Sequence, residues 1–216
     1  MPDIQISEKL ISFIAFIPIF FVSLTIHEFA HAITAAKLGD STAKDMGRMT
    51  INPIKHADLI GTVIVPLISF FSGFALIGWA KPVPVDRRNF KNPFKDDALV
   101  SFAGPFSNLV LAIVFALVLA AAHNSSMSSD SLILNILWYG TFFNIFLFFF
   151  NLIPIPPLDG SHILFDIFPN KFTASLLKLG LYGSIALLVF IYSPLWKYFF
   201  MLVNGTVNVF LRVAGV

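Results

Sequence analysis

His27, Glu28 and His31 fall within five consecutive residues, His27-Glu28-Phe29-Ala30-His31, in the pattern H-E-x-x-H. Two histidines four apart share a helical face, so both imidazoles can address one ion, while Glu28 sits one turn back beside His31. The chemistry this suits is zinc hydrolysis. Two neutral imidazoles and a carboxylate leave zinc an open fourth position for water, whose pKa falls to about 7, and a nearby glutamate can take the proton as that water attacks a carbonyl. With five His and two Glu in 216 residues, chance supplies such a pentapeptide on the order of 0.001 times. The alternative is a polar cluster that only fixes helix packing, at a cost of at least about 2.5 kcal/mol per ionisable residue in a spanning helix.

A catalytic zinc needs a third protein ligand, and without cysteine it must come from His, Asp or Glu. The candidates are ten Asp, the other Glu, and His56, His123 and His162. Most of the Asp lie in polar loops and read as solvated charges. Asp159 differs, because it ends Asn151-Leu-Ile-Pro-Ile-Pro-Pro-Leu-Asp159-Gly160. The prolines force an extended backbone, tolerated at membrane depth only where protein buries it or it lines a cavity. His162 is either an orienting partner of this site or a competing ligand. His56, beside Lys55 and Asp58, reads as a surface residue or a gate, and His123 as solvated.

The elements that must carry these groups are membrane helices. The chain is 57% apolar and 12% charged, with 26 Phe and a mean hydropathy of +0.84, against about a quarter charged in soluble domains. Residues 10–36, 98–122, 132–153, 174–192 and 194–213 form apolar runs of the roughly 20 residues that cross a bilayer. A sixth run, 59–80, is broken by Gly61, Pro66, Gly73 and Gly78, so it either spans as a kinked helix or dips in and returns. The first run is too long for a signal-peptide core and is expected to be retained. The net charge of +2 leaves no basic face for nucleic acid.

Nine of the 14 basic residues lie in two places, Lys37, Lys44, Arg48 and Lys55, then Lys81, Arg87, Arg88, Lys91 and Lys95; the loop at 123–131 has none. A returning segment at 59–80 puts both basic stretches on one face, expected to be cytoplasmic, with the N-terminus outside. The same topology brings Asp159 to the face of the histidines, whereas a full crossing would displace it. The segment around 73–85 could offer an edge to an unwound substrate, or be a plain connector. Asn144 and Asn151, seven apart, line a shared cavity or pair with other helices.

Together, H-E-x-x-H early and N-x-x-P-x-P-x-L-D-G late resemble the site-2 protease family of intramembrane zinc metalloproteases. Asn52-Pro53 with His56, Asp58 and Gly61, Ala80-Lys81-Pro82-Val83-Pro84-Val85, and Ala103-Gly104-Pro105-Phe106-Ser107-Asn108 extend the likeness. The resemblance implies His27, His31 and Asp159 as ligands of one zinc, Glu28 as general base, and Asn108 as an amide donor that orients the scissile peptide or stabilises the oxyanion; the alternative for Asn108 is a bond to a neighbouring helix within the membrane.

The expected architecture is an all-α polytopic membrane protein of about five to six transmembrane helices with a re-entrant or extended segment near 59–86. It reads as a single protease domain over 1–216, with a motif-bearing core of about 10–168 and C-terminal helices at about 174–213, in a compact form without a PDZ or nucleotide-sensing domain. The implied activity is hydrolysis of a peptide bond in or near a substrate's transmembrane helix, at the cytoplasmic side of the cell membrane. Its partners are the lipid bilayer, a transmembrane substrate and a regulatory membrane protein. A metal-ion transporter using the His/Asp site and an inactive helix-binding scaffold are the competing expectations.

Overall fold

A computed structural model describes residues 2–72, 78–125 and 131–215. The described residues are helical and contain no strand: α1 (Pro2–Leu38), α2 (Thr42–Asp45), α3 (Pro53–His56), a π-helical turn at Leu59–Ile64, α4 (Val65–Ser72), a 3-10 turn at Arg87–Asn89, α5 (Pro93–His123), α6 (Leu132–Asn151), α7 (Asp159–Ile167), α8 (Lys171–Leu177), α9 (Leu181–Ile191) and α10 (Leu195–Ala214). An all-helical chain follows from the solvent, since in hydrocarbon a helix satisfies every backbone N–H and C=O within itself.

Three helices are long and apolar enough to cross a membrane: Phe13–Leu38 within α1, α5 and α6. A fourth arises if α8 and the helix after it form one span, but the two meet at 88°. The break falls at Gly180, which has φ of +51°, a conformation that glycine tolerates best. The count is therefore three to four among the described residues, lower than the five to six that run length suggests. Helix α10 is long enough at 20 residues yet is not among the helices apolar enough to span, because Lys197, Asn204, Asn208 and Arg212 interrupt it. It lays Phe199, Val203 and Val207 against Ala112 of α5 and Ile145 of α6. Trp196 and Phe199 meet Phe146 edge-on, a favoured aromatic arrangement, so part of the phenylalanine excess serves helix packing.

The segment at 59–80 returns, although residues 73–77 lie outside the described set. Asp58 caps the π-helical turn by accepting from the N–H groups of Ile60 and Gly61. On the way back, the Trp79 N–H donates to the Gly61 carbonyl at 3.0 Å, the Thr62 hydroxyl to the Trp79 carbonyl at 2.8 Å, and the Lys81 N–H to the His56 carbonyl at 2.9 Å. Entry and exit are thus hydrogen-bonded neighbours. Arg48 donates to the Lys81 carbonyl at 2.7 Å, and Asp40 accepts from the Asp86 N–H and the Asn89 amide, which places the two basic stretches side by side. Asp40 is held below the ordinary carboxylate value: burial opposes this, but the Thr42 hydroxyl, the Asn89 amide and the Asp86 N–H outweigh it.

Several polar side chains that read as solvated are buried. His56 is 2% exposed and its Nε2–H donates to the Thr50 carbonyl, 2.7 Å away, so it is neither a surface residue nor free to swing. Asp40, in the loop after α1, Asp96 and Asp97, in the first turns of α5, and Asp166, near the end of α7, are buried as well. His123 is exposed.

Candidate metal centre

The buried face of α1 carries Ser23, His27, His31 and Ala35 at intervals of four, with Glu28 beside them. Against it lies a face of α5 with Asp97, Val100, Gly104 and Asn108, all buried and spaced three or four apart, the spacing that keeps residues on one side of a helix. Each histidine is turned by a bond at Nδ1. That of His27 meets Asn108 Oδ1 at 2.6 Å and that of His31 meets the Val100 carbonyl at 2.7 Å. Both partners are acceptors, since the Asn108 amide nitrogen is occupied donating to the Ser23 carbonyl at 3.3 Å and to Asn144 Oδ1 at 3.0 Å. The proton of each neutral ring therefore sits on Nδ1, leaving two Nε2 lone pairs facing each other 3.0 Å apart.

Asp159 closes the group from the first turn of α7. Its Oδ2 is 3.2 Å from His27 Nε2 and its Oδ1 3.5 Å from His31 Nε2. The three ligand atoms of His27, His31 and Asp159 lie within 4.8 Å of one another. Asp159 Oδ2 is buried without a hydrogen-bond donor, as follows if neither Nε2 bears a proton. Two lone pairs and a carboxylate converging in low dielectric repel unless a cation lies between them, and two imidazoles with one carboxylate form a donor set that zinc accepts. The residues fit the ion.

Two glycines make the approach possible. A Cβ on Gly104 would collide with both imidazoles, and one on Gly160 with the backbone carbonyls of Leu152 and Ile153. The run before Asp159 contains a cis Pro156–Pro157 bond, and Ser161 donates to the Leu158 carbonyl at 2.7 Å.

Glu28 is 9% exposed, and its Oε2 accepts from the Val83 N–H at 2.8 Å. Pro82 and Pro84 have no N–H and hold the backbone extended, so the single N–H between them goes to the glutamate. That segment forms no strand pairing; the part of the expected substrate edge at 73–77 lies outside the described residues.

Asn108 is fully buried with both ends of its amide engaged, the oxygen by His27 and the nitrogen by Ser23 and Asn144. Asn144 joins the same network, donating to Ser23 Oγ at 2.9 Å, whereas Asn151 bonds the Leu147 carbonyl of its own helix. His162 is half exposed and stands 3.9 Å from Asp97, outside the metal group. Ser23, Val100 and Gly104 are parts of the centre that sequence reasoning did not assign. The periodicity 97, 100, 104, 108 on α5 was the available signal for Asp97 and Gly104; a backbone carbonyl such as that of Val100 leaves none.

Comparisons with known proteins identify the family. The model of Peptidase family M50 matches residues 15–124 and 119–191. "Putative zinc metalloprotease YwhC" of Bacillus subtilis is 45% identical over 183 residues, covering 82% of this chain and 80% of that protein. "Putative zinc metalloprotease Rip2" of Mycolicibacterium smegmatis is 30% identical over 197 residues, covering 88% and 72%. "Putative zinc metalloprotease MJ0611" of Methanocaldococcus jannaschii is 30% identical over 99 residues, covering 44% and 46%. No solved structure gives a significant match. The chain belongs to Peptidase family M50, the site-2 protease family. Family membership implies zinc, and the apolar helices fit a multi-pass membrane protein.

Proposed function

We propose that the chain is an intramembrane zinc endopeptidase that hydrolyses a peptide bond in or near a substrate's transmembrane helix, with one zinc held by His27, His31 and Asp159. The observation that carries this reading is the convergence of two imidazole Nε2 atoms on the Asp159 carboxylate, whose Oδ2 has no hydrogen-bond partner, with Glu28 one residue from His27. A zinc ion bound there supplies Lewis acidity, lowering the pKa of water toward 7 and polarising a carbonyl.

The chain's own groups do the rest. Glu28 takes the proton of the attacking water at its carboxylate and returns it to the leaving amine nitrogen. The Val83 N–H on Oε2 keeps that carboxylate from rotating away. Asn108 acts through His27 as a positioning residue, fixing the tautomer and plane of the ring. Helices α1, α5 and α6 hold the centre away from bulk water, so its charges act in low dielectric.

The joined basic stretches near the C-terminal end of α1 support placing the centre at the cytoplasmic side. In this cysteine-free chain a single Arg88→Cys, at an exposed position, is then modified by a membrane-impermeant thiol reagent only after the inner face is opened. Modification in intact cells reverses the orientation.

Purified wild type in liposomes is expected to bind about one zinc and to cut some members of a panel of single-span transmembrane peptides. Glu28→Gln should keep the zinc and lose at least about 100-fold in cleavage rate. A metal transporter or helix-binding scaffold has no such need of Glu28, and normal cleavage by the variant refutes the mechanism.

A further inference from the structure

Arg87 lies four residues after Val83, in the 3-10 turn that leads to α5. Its Nε is 3.1 Å from Asp97 Oδ2 of α5, and its Nη2 contacts Asp166 Oδ1 of α7. The guanidinium lies over the rings of Phe94 and Phe165, 5.3 and 5.1 Å from their centroids, one ring from each helix. Both carboxylates are buried, at 5% and 7% exposure, where an ion pair is screened little. The planar guanidinium suits this bridging, because its Nη2–H donates to Asp166 while its charge lies beside Asp97, whose Oδ2 is buried with no hydrogen-bond partner of its own.

The register links this cluster to the metal centre. Asp166 follows Asp159 by seven residues on α7, nearly two full turns, so both project from one face with a rise of about 10 Å between them. Asp97 precedes Gly104 by seven on α5, which puts it on the face that meets the imidazoles. α7 has only nine residues, and a small rotation would swing Asp159 off the histidines. The segment bearing Val83 has no strand partner among the described residues.

We propose that Arg87 is a positioning residue of the metal centre: by joining the segment that carries Val83 to Asp97 of α5 and Asp166 of α7, it fixes Asp159 and the donor to Glu28 against the two histidines. The proposal rests on the ligand and base assignment made above. It gives the arginine a task separate from the surface charge that its place among basic residues suggests.

The test uses the whole chain in detergent and zinc alone as the probe, with affinity measured by competition against a chelator. Removing the cation alone strands two buried carboxylates and risks the fold. The informative variant is therefore Arg87→Met with Asp97→Asn and Asp166→Asn, which removes all three charges and keeps the side-chain volumes close. Hydrogen exchange at residues 82–90 and 159–167 is followed in parallel. The pin predicts a folded variant that binds zinc about tenfold more weakly, the scale of loss when groups supporting a metal site are removed, with faster exchange in both segments. Wild-type zinc affinity and wild-type exchange in the folded variant would overturn it, even if the melting temperature moved, since that is all a merely structural cluster would change. If wild type binds no zinc, the ligand assignment fails instead, and the exchange comparison alone decides whether Arg87 pins the two segments.

Discussion

His27 and His31 stand on a long helix whose neighbours engage their ring nitrogens with neutral acceptors, whereas Asp159 and the Val83 N–H reach the same spot from short segments tied down by ions around Arg87. On the helical side the bonds run His27 to Asn108, Asn108 to Asn144 and Ser23, and His31 to the Val100 carbonyl. Removing any member leaves a buried polar group unpaired, at a cost of about 1–3 kcal/mol. On the other side one guanidinium meets two carboxylates, an arrangement whose strength depends on protonation. The difference shows how an apolar protein divides the work. Direction at the imidazoles comes from neutral, saturated hydrogen bonds that carry no Born penalty, and attachment of the shorter parts comes from charge.

The sharpest way to break the helical half is Gly104→Ala. The added methyl collides with both imidazoles, and zinc affinity should fall by about 100-fold, the upper end of what disturbing a ligand's surroundings costs. Gly205→Ala on α10, where a Cβ meets nothing within 4 Å, should leave affinity unchanged. Equal effects from the two would show that Gly104 is a general packing glycine.

A smaller loss, about tenfold in zinc affinity, is expected for Asn108→Ala, which frees His27 Nδ1 but leaves His31 in place. Asn151→Ala, which removes only a bond within its own helix, serves as the matched control. If Asn108→Ala binds zinc normally yet cleaves slowly, its amide acts on substrate and the positioning role is wrong.

The ionic half should respond to pH instead. Burial and the Asp97 carboxylate push Asp166 up to about 7, against the opposing pull of Arg87; His162 is the other titratable group near the pair. A raised carboxyl pKa means the folded state holds the proton more tightly than the unfolded one. The stabilisation is full below the ordinary carboxylate value and is lost as pH rises through about 7. Wild type should therefore lose a few degrees of melting temperature between about pH 5 and about pH 8 relative to Asp166→Asn. Parallel melting curves for the two proteins would remove the ionic contrast.

Much of the centre was legible in the residues themselves. H-E-x-x-H needs only helical periodicity to bring its imidazoles together, and the proline run before Asp159 announces a non-helical backbone where hydrocarbon forbids one. The return of the 59–80 segment followed from the basic residues and is seen in the Trp79–Gly61 and Lys81–His56 bonds. What Asn108 binds was not legible, because its family match speaks of place and not of which atoms its amide meets. Arg87, Asp97 and Asp166 were hidden for a different reason: charged residues beside apolar runs look like solvated ends, and only tertiary contact shows that they are buried together. The number of crossings was legible only approximately, because run length ignores the bend between α8 and α9 and the polar residues spread along α10.

The most direct test of the ligand assignment is zinc K-edge X-ray absorption on the purified chain. The predicted spectrum has a nitrogen and oxygen shell at about 2.0–2.1 Å, with outer-shell scattering from two imidazoles. Asp159→Ala should keep both imidazole signals while the shell loses an oxygen, and His31→Ala should keep only one. A wild-type spectrum with three imidazoles, or one unchanged by loss of Asp159, would contradict a centre built from His27, His31 and Asp159.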